Sequence, residues 1–231
     1  MQFTVAVRAL CEFTAKAGDL DLRFTPSPTA QEGIAGHALV TSSRAPGYER
    51  EIALTGEFEG LRVRGRADGY DPGRNRLEGI KTFRGDLARQ PANHRHLHWA
   101  QAKVYGALLC EARGLQQLVV ALVYFDVGRQ KEMVLEAVHT REDLRAFFED
   151  QCCRFLAWAM QEEAHRTTRD AALAAMAFPH AEFREGQRDL AEAAYKAAVQ
   201  RRCLMAQAPT GCGETVGTLV PVLENYQNAD G

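Results

Sequence analysis

With 231 residues, 46% of them hydrophobic and 25% charged, the chain has the make-up of a globular protein with enough apolar side chains for a real core. Its 28 Lys and Arg against 30 Asp and Glu leave a formal net charge of -2, which excludes a global field that would gather nucleic acid, so any phosphate contact has to come from a local patch. No stretch has the apolar length of a leader peptide or a bilayer span, so a cytoplasmic location without a membrane partner is expected.

In chain order, the alternation from Gln2 to about Phe13 predicts a strand. Ser27-Pro28 then predicts the start of a helix to about Ser42, with Ser27 as N-cap and the proline in the first turn; this helix carries His37. Tyr48 to Phe58 and Leu61 to Tyr70 read as strands. In the second, Arg62, Arg64, Arg66 and Asp68 are expected on one face, opposite Leu61, Val63 and Ala67. Such an arginine stripe is either the solvated face of an antiparallel sheet or a grip on a phosphate backbone that reads no sequence, according to whether it lines a cleft.

A turn at Asp71-Pro72-Gly73 leads to a strand through Leu77-Glu78-Gly79-Ile80-Lys81-Thr82, where Gly79 and Lys81 share one face and Glu78 and Ile80 the other. The stretch from Arg84 to Trp99, interrupted by Pro91 and Asn93, reads as a polar loop. Its His94, His96 and His98 face solvent or phosphate there rather than forming a metal site of their own. A helix from His98 to Glu111 sets Gln101 and Tyr105 on one face, four residues apart. Strands follow at Gln117 to Asp126, whose run Leu118 to Val123 suits a central position, and at Glu132 to His139. Arg141 to Arg166 is an amphipathic helix with Phe147, Phe148, Phe155, Leu156 and Trp158 directed to the core.

After Ala177 the pattern changes. Phe183-Arg184-Glu185-Gly186-Gln187 precedes a helix to about Val199, an apolar run at Cys203-Leu204-Met205-Ala206, and the glycine-rich Ala208-Pro209-Thr210-Gly211-Cys212-Gly213-Glu214-Thr215. Helix, strand, glycine-rich loop and new helix is the context of a phosphate-binding loop, although a plain turn would use the same residues.

The set Gly33-Ile34-Ala35-Gly36-His37, Gly65-Arg66-Ala67-Asp68, Ile80-Lys81-Thr82 and Gln101-x-x-x-Tyr105 resembles the RecB-type branch of the PD-(D/E)xK nucleases, over roughly residues 1–165. The resemblance implies an α/β fold with a restriction-endonuclease-like mixed sheet flanked by helices. It further implies hydrolysis of DNA, single-stranded by expectation, with Mg2+ or Mn2+. Carried over, it gives His37, Asp68 and the Ile80 carbonyl as metal ligands, Lys81 as the group that orients water or stabilises charge, and Gln101 and Tyr105 as the helix motif. Phosphodiester hydrolysis calls for a hard cation with oxygen ligands and a nearby positive charge. The departure is Gly79, where the family has its second acid. Glu78 is one residue out of step and faces the other way unless a β-bulge re-aims it. The resemblance therefore carries two readings, an impaired nuclease and a nuclease fold kept as a DNA-holding or protein-docking platform. Some relatives bind an iron-sulfur cluster, but the spacing of Cys11, Cys152 and Cys153 does not match theirs and no cluster is expected.

Residues 166–231 resemble the opening of an XPD/DinG-type DNA helicase motor, a partial P-loop segment that stops before any acidic Mg2+ motif. There Gln187, in an arginine-x-x-glutamine element, would read adenine, and Gly211, Gly213 and Thr215 would cradle phosphates. Glu214 stands where the family has lysine. A carboxylate about 4 Å from a phosphate oxygen repels by roughly 4 kcal/mol at an effective dielectric near 20, so ATP is expected only in an intact version of this motor.

Overall fold

The computed structural model describes residues 3–18 and 28–228, and the chain divides into two compact units, Met1–Trp158 and Ala159–Gly231. The first unit is built on six strands, β1 (Phe3–Ala6), β2 (Glu49–Phe58), β3 (Leu61–Asp71), β4 (Arg76–Phe83), β5 (Gln117–Asp126) and β6 (Lys131–Thr140). The order is β1-β3-β4-β5-β6, with β2 also on β3; β1 on β3 and β4 on β5 are parallel and the other pairs antiparallel. Helices cover both faces. Against one lie α1 (Val7–Thr14), α3 (Ala92–Arg113) and the start of α4 (Arg141–Ala174), around Leu10, Leu61, Leu109, Leu122 and Leu144. On the other, α2 (Ala30–Ser42) sets Val40 on Ile80, Val123 and Phe125. The architecture is the expected mixed sheet flanked by helices. Strand β5 is buried on both faces, which is why it reads as an unbroken apolar run.

Four local expectations are corrected. The first strand ends at Ala6 and α1 follows, because Val7, Leu10 and Cys11 are buried at helical spacing, a period hidden within a run that also alternates. The expected cap Ser27 lies outside the described residues; α2 is capped by Thr29, whose side chain accepts the Glu32 N–H at 3.3 Å while the Glu32 carboxylate accepts the Thr29 N–H at 2.9 Å. The histidine stretch is no loop, for α3 starts at Ala92. Pro91 stands just ahead of the first turn, where its missing N–H breaks no helical bond. Trp158 does not join the core but is 43% exposed, its ring 4.8 Å from that of Phe13 and tilted 49° to it.

In the second unit α5 (Gln187–Val199) packs on α6 (Glu214–Asn228). The strand expected at Cys203–Ala206 does not form. Among the described residues this unit has no other strand to complete a ladder, and Met205 is left 99% exposed.

These contrasts carry a stability prediction. Leu109→Ala, at a fully buried position, should cost about 2–5 kcal/mol in urea unfolding, whereas Met205→Ser should stay within about 0.5 kcal/mol.

Candidate catalytic cleft

One edge of β3 is paired with β2 along nearly its whole length. The other edge is shared, with β1 taking Leu61–Arg64 and β4 taking Gly69–Asp71, so that residues 65–68 face a notch. Asp68 occupies it. The β3–β4 ladder stops at Gly69 and Glu78, and beyond it the Asp68 carboxylate accepts the Ile80 N–H at 2.7 Å in place of a backbone partner. In an extended strand the N–H and C=O of one residue point to the same edge, so the Ile80 carbonyl is also directed at the notch.

The expectation that Asp68 shares a face with the arginines fails for a definite reason. Ala67 and Tyr70, three apart, both enter the α3-side core, so the alternation of β3 breaks between them. Strand β2 breaks at the matching rung. Glu49 pairs with Arg113 on the α3 side, Ile52 packs in that same core, and Glu51 between them has φ +52°. Asp68 thus stands in the opening rather than on either face, and it lines a cavity on each side of the sheet.

The cavity on the α3 side, about 150 Å3, is lined by Asp68, Lys81, Gln101 and Tyr105 together with Gly79, Arg66 and Arg8. Lys81 Nζ is 3.5 Å from Gln101 Oε1. Tyr105 tucks its hydroxyl beneath β3, where it receives the Arg66 N–H, and burial raises its pKa. Gly65 makes this approach possible, because a Cβ there would come within 2.6 Å of the phenolic oxygen. From the opposite side His37 brings Nδ1 to 3.9 Å from Asp68 Oδ1 and lines a second cavity of about 480 Å3 with Ala30, Gly33 and Ile34. The sequence-derived set His37, Asp68, Ile80, Lys81, Gln101 and Tyr105 therefore converges.

The arginine stripe does not converge with it. Arg62 and Arg64 lie outside both cavities, and Arg62 is paired with Glu57 at 2.8 Å on an exposed surface. Only Arg66 reaches the cavity, and it is itself 2.8 Å from Glu51.

Position 79 faces α3, and a Cβ there would make ordinary contacts with Leu122 at 3.4 Å and Ala102 at 3.8 Å. Glu78 points the other way and is 1% exposed. Its carboxylate takes hydrogen bonds from Arg44 Nε and the Tyr48 hydroxyl, each at 2.9 Å, and from Arg76. Strands β4 and β5 pair without interruption from Arg76 to Phe83, so no bulge turns Glu78 toward Asp68. Among the described residues no three His, Cys, Asp or Glu side chains form a metal-binding group. What the notch offers a cation is one carboxylate, one imidazole and one carbonyl, a set that suits a divalent ion keeping much of its water.

Sequence reasoning missed His98 and Arg8 as cavity residues. His98 precedes Gln101 by three positions and so shares its helical face, a signal masked by reading residues 84–99 as a loop. Its Nδ1 lies 2.9 Å from the Tyr124 hydroxyl, and burial, followed by Lys81 and His94, pulls its pKa down to about 3. Arg8 was hidden by the overlong first strand.

In the second unit the buried Gln187 spends its amide on the protein. Its Oε1 accepts the Arg184 N–H at 3.1 Å and its Nε2 donates to the Gly213 carbonyl at 2.9 Å. Arg184 also donates to the Gly211 carbonyl at 2.7 Å. Gly211 and Gly213 have φ of +89° and +78°. Glu214 opens α6, where its carboxylate favours the helix dipole at the place a phosphate would need; Thr215 is exposed.

No protein-family model and no curated protein matches the chain. Among solved structures it is similar to SSO0001, at 20% identity over 66% of this chain and 77% of that one, with a TM-score of 0.42. It is also similar to a candidate exonuclease from Eubacterium rectale (16% identity, 55% and 51% covered, TM-score 0.38) and to a phage-related exonuclease from Haemophilus somnus 129PT (16%, 63% and 75%, 0.35). The chain spans about half the length of the Eubacterium rectale protein. No property of the cleft follows from likeness at this level.

The Gly65–Tyr105 approach is open to measurement. Gly65→Ala should lower stability by about 1–3 kcal/mol in thermal or urea unfolding, and pairing it with Tyr105→Phe should recover part of the loss.

Proposed function

We propose that the first unit is a nuclease-type module that holds single-stranded DNA across the notch of β3, with metal-dependent phosphodiester hydrolysis weakened by Gly79. The observation that carries this reading is the Asp68 carboxylate bridging to the Ile80 N–H, with the Lys81–Gln101 pair on the wall of the same cavity. Asp68, His37 and the Ile80 carbonyl would hold Mg2+ or Mn2+, which when bound polarises a phosphoryl oxygen and acidifies water. The protein's own part is separate. Lys81 meets the charge that grows on the phosphoryl group, and Gln101 keeps the ammonium in place. One carboxylate in place of two lowers the affinity for the cation.

A second reading is a DNA-holding platform without turnover. It is favoured by the burial of Glu78 among Arg44, Arg76 and Tyr48, which leaves the cleft without a replacement acid. For residues 166–231 we propose the opening of a helicase motor with its nucleotide loop disabled. The left-handed glycines at 211 and 213 ahead of α6 support it, while the Glu214 carboxylate at that helix start and the engaged Gln187 amide oppose nucleotide binding.

Two experiments test these readings. Gly79→Glu should tighten Mn2+ binding, followed calorimetrically, by roughly tenfold or more, which is about 1.4 kcal/mol, and should raise Mn2+-dependent cleavage of single-stranded DNA, with Asp68→Ala removing both. Unchanged metal affinity in Gly79→Glu would sink the metal-site assignment. Titration with ATP should give no binding to the chain, and micromolar affinity would refute the argument from Glu214.

A further inference from the structure

His98 has no part in the function proposed above, although it lines the same cavity as Lys81 and Gln101. Its Nδ1 is 2.9 Å from the hydroxyl of Tyr124, a fully buried side chain. A buried phenol proton calls for an acceptor, and among the described residues His98 Nδ1 is the one at hydrogen-bond distance from it. With the phenol as donor, the imidazole proton sits on Nε2. With Nδ1 engaged, Nε2 is the nitrogen left for the cavity.

We infer that this cavity is a phosphate-oxygen subsite, in which Tyr124 acts as a positioning residue that holds His98 in the tautomer presenting an Nε2–H donor to a phosphate of the bound strand. The inference deepens the nuclease-type reading of the cleft and rests on it. At about 150 Å3 the cavity is well below the roughly 300 Å3 of an ordinary small-molecule pocket, so it takes a group rather than a whole ligand. Lys81 supplies charge without direction, while the imidazole supplies direction without charge. The low pKa of His98, due first to burial and then to Lys81, agrees with this division.

The test begins with the unaltered chain, 15N-labelled and free of divalent ions. A long-range proton–nitrogen spectrum of its imidazoles should give His98 as the Nε2–H tautomer at pH 7, and inorganic phosphate or a single-stranded oligonucleotide should shift its Nε2 resonance. An Nδ1–H tautomer, or a resonance that neither ligand moves, would overturn the inference, and this measurement stands even where a variant fails to fold. In oligonucleotide binding followed by anisotropy, His98→Leu should weaken affinity by roughly tenfold. His98→Gln, which returns an N–H near the Nε2 position, should recover most of it, and Tyr124→Phe should lose part. Lys81→Ala separates the two levels. Weakened binding in Lys81→Ala with none in His98→Leu sinks the role of His98 and leaves the cleft reading standing; unchanged binding in both removes the cleft reading as well.

Discussion

The hydrogen bond from the Ile80 N–H to the Asp68 carboxylate is the constraint on which the cleft depends. A sheet joins neighbouring strands by backbone ladders, and a ladder that ran on past Gly69 would close the space between β3 and β4. By taking over one backbone donor with a side chain, Asp68 lets the strands part without leaving a buried N–H unsatisfied. The same carboxylate keeps one oxygen toward His37, so the group that opens the notch is also the group at its centre. Structure and candidate chemistry are therefore not separable at this residue. The kinked rung in β2, with Glu51 at positive φ, is the matching adjustment on the far edge of β3.

Position 78 illustrates how a two-residue period divides neighbouring side chains between different environments. Gly79 faces the polar cavity and Glu78 faces the α2 side, although one peptide bond separates them. A buried carboxylate is tolerable only when compensated, and Glu78 has two guanidinium groups and a phenol around it, with Arg44 and Arg76 reaching onward to Glu132 and Glu136. Moving Glu78 to the cleft would take from Arg44 and Arg76 the buried carboxylate they share and leave them Glu132 and Glu136 alone. The close packing extends to the backbone, since Tyr48 lies so near Gly69 that no side chain fits there.

Much of this was legible in the residues. The strand pair around Asp71-Pro72-Gly73, the central β5 and the spacing of Gln101 and Tyr105 all follow from local period and turn chemistry. What was not legible depended on tertiary contacts. The break in alternation at Asp68 arises from where Ala67 and Tyr70 are buried, which no local pattern in Gly65 to Tyr70 announces. The start of α3 was misplaced because Pro91 and Asn93 suggest a loop, whereas a proline just before a first turn is compatible with a helix. Grouping His98 with His94 and His96 in that polar stretch hid its place beside Gln101. In the second unit the apolar run at Cys203–Ala206 has strand-like composition, but a strand is a relation between segments, and no partner stands beside it among the described residues.

A glycine at position 79 bears on the kind of ion the cavity would favour. Arg8 and Arg66 are matched by Glu12 and Glu51, and Glu78 is matched on the far face, whereas Lys81 stands beside the Gln101 amide and Asp68 beside the His37 imidazole. A second carboxylate at position 79 would give the notch an excess of negative charge and make it a cation site first. With Gly79, the ammonium, the Gln101 amide and the His98 imidazole outnumber the one acid, which on the proposed reading matches the cavity to a phosphate oxygen. On the proposed function, holding a nucleic acid and cutting it come apart as physical demands on the same cleft. The first needs donors on its α3 wall, and the second needs a cation that a single carboxylate grips weakly.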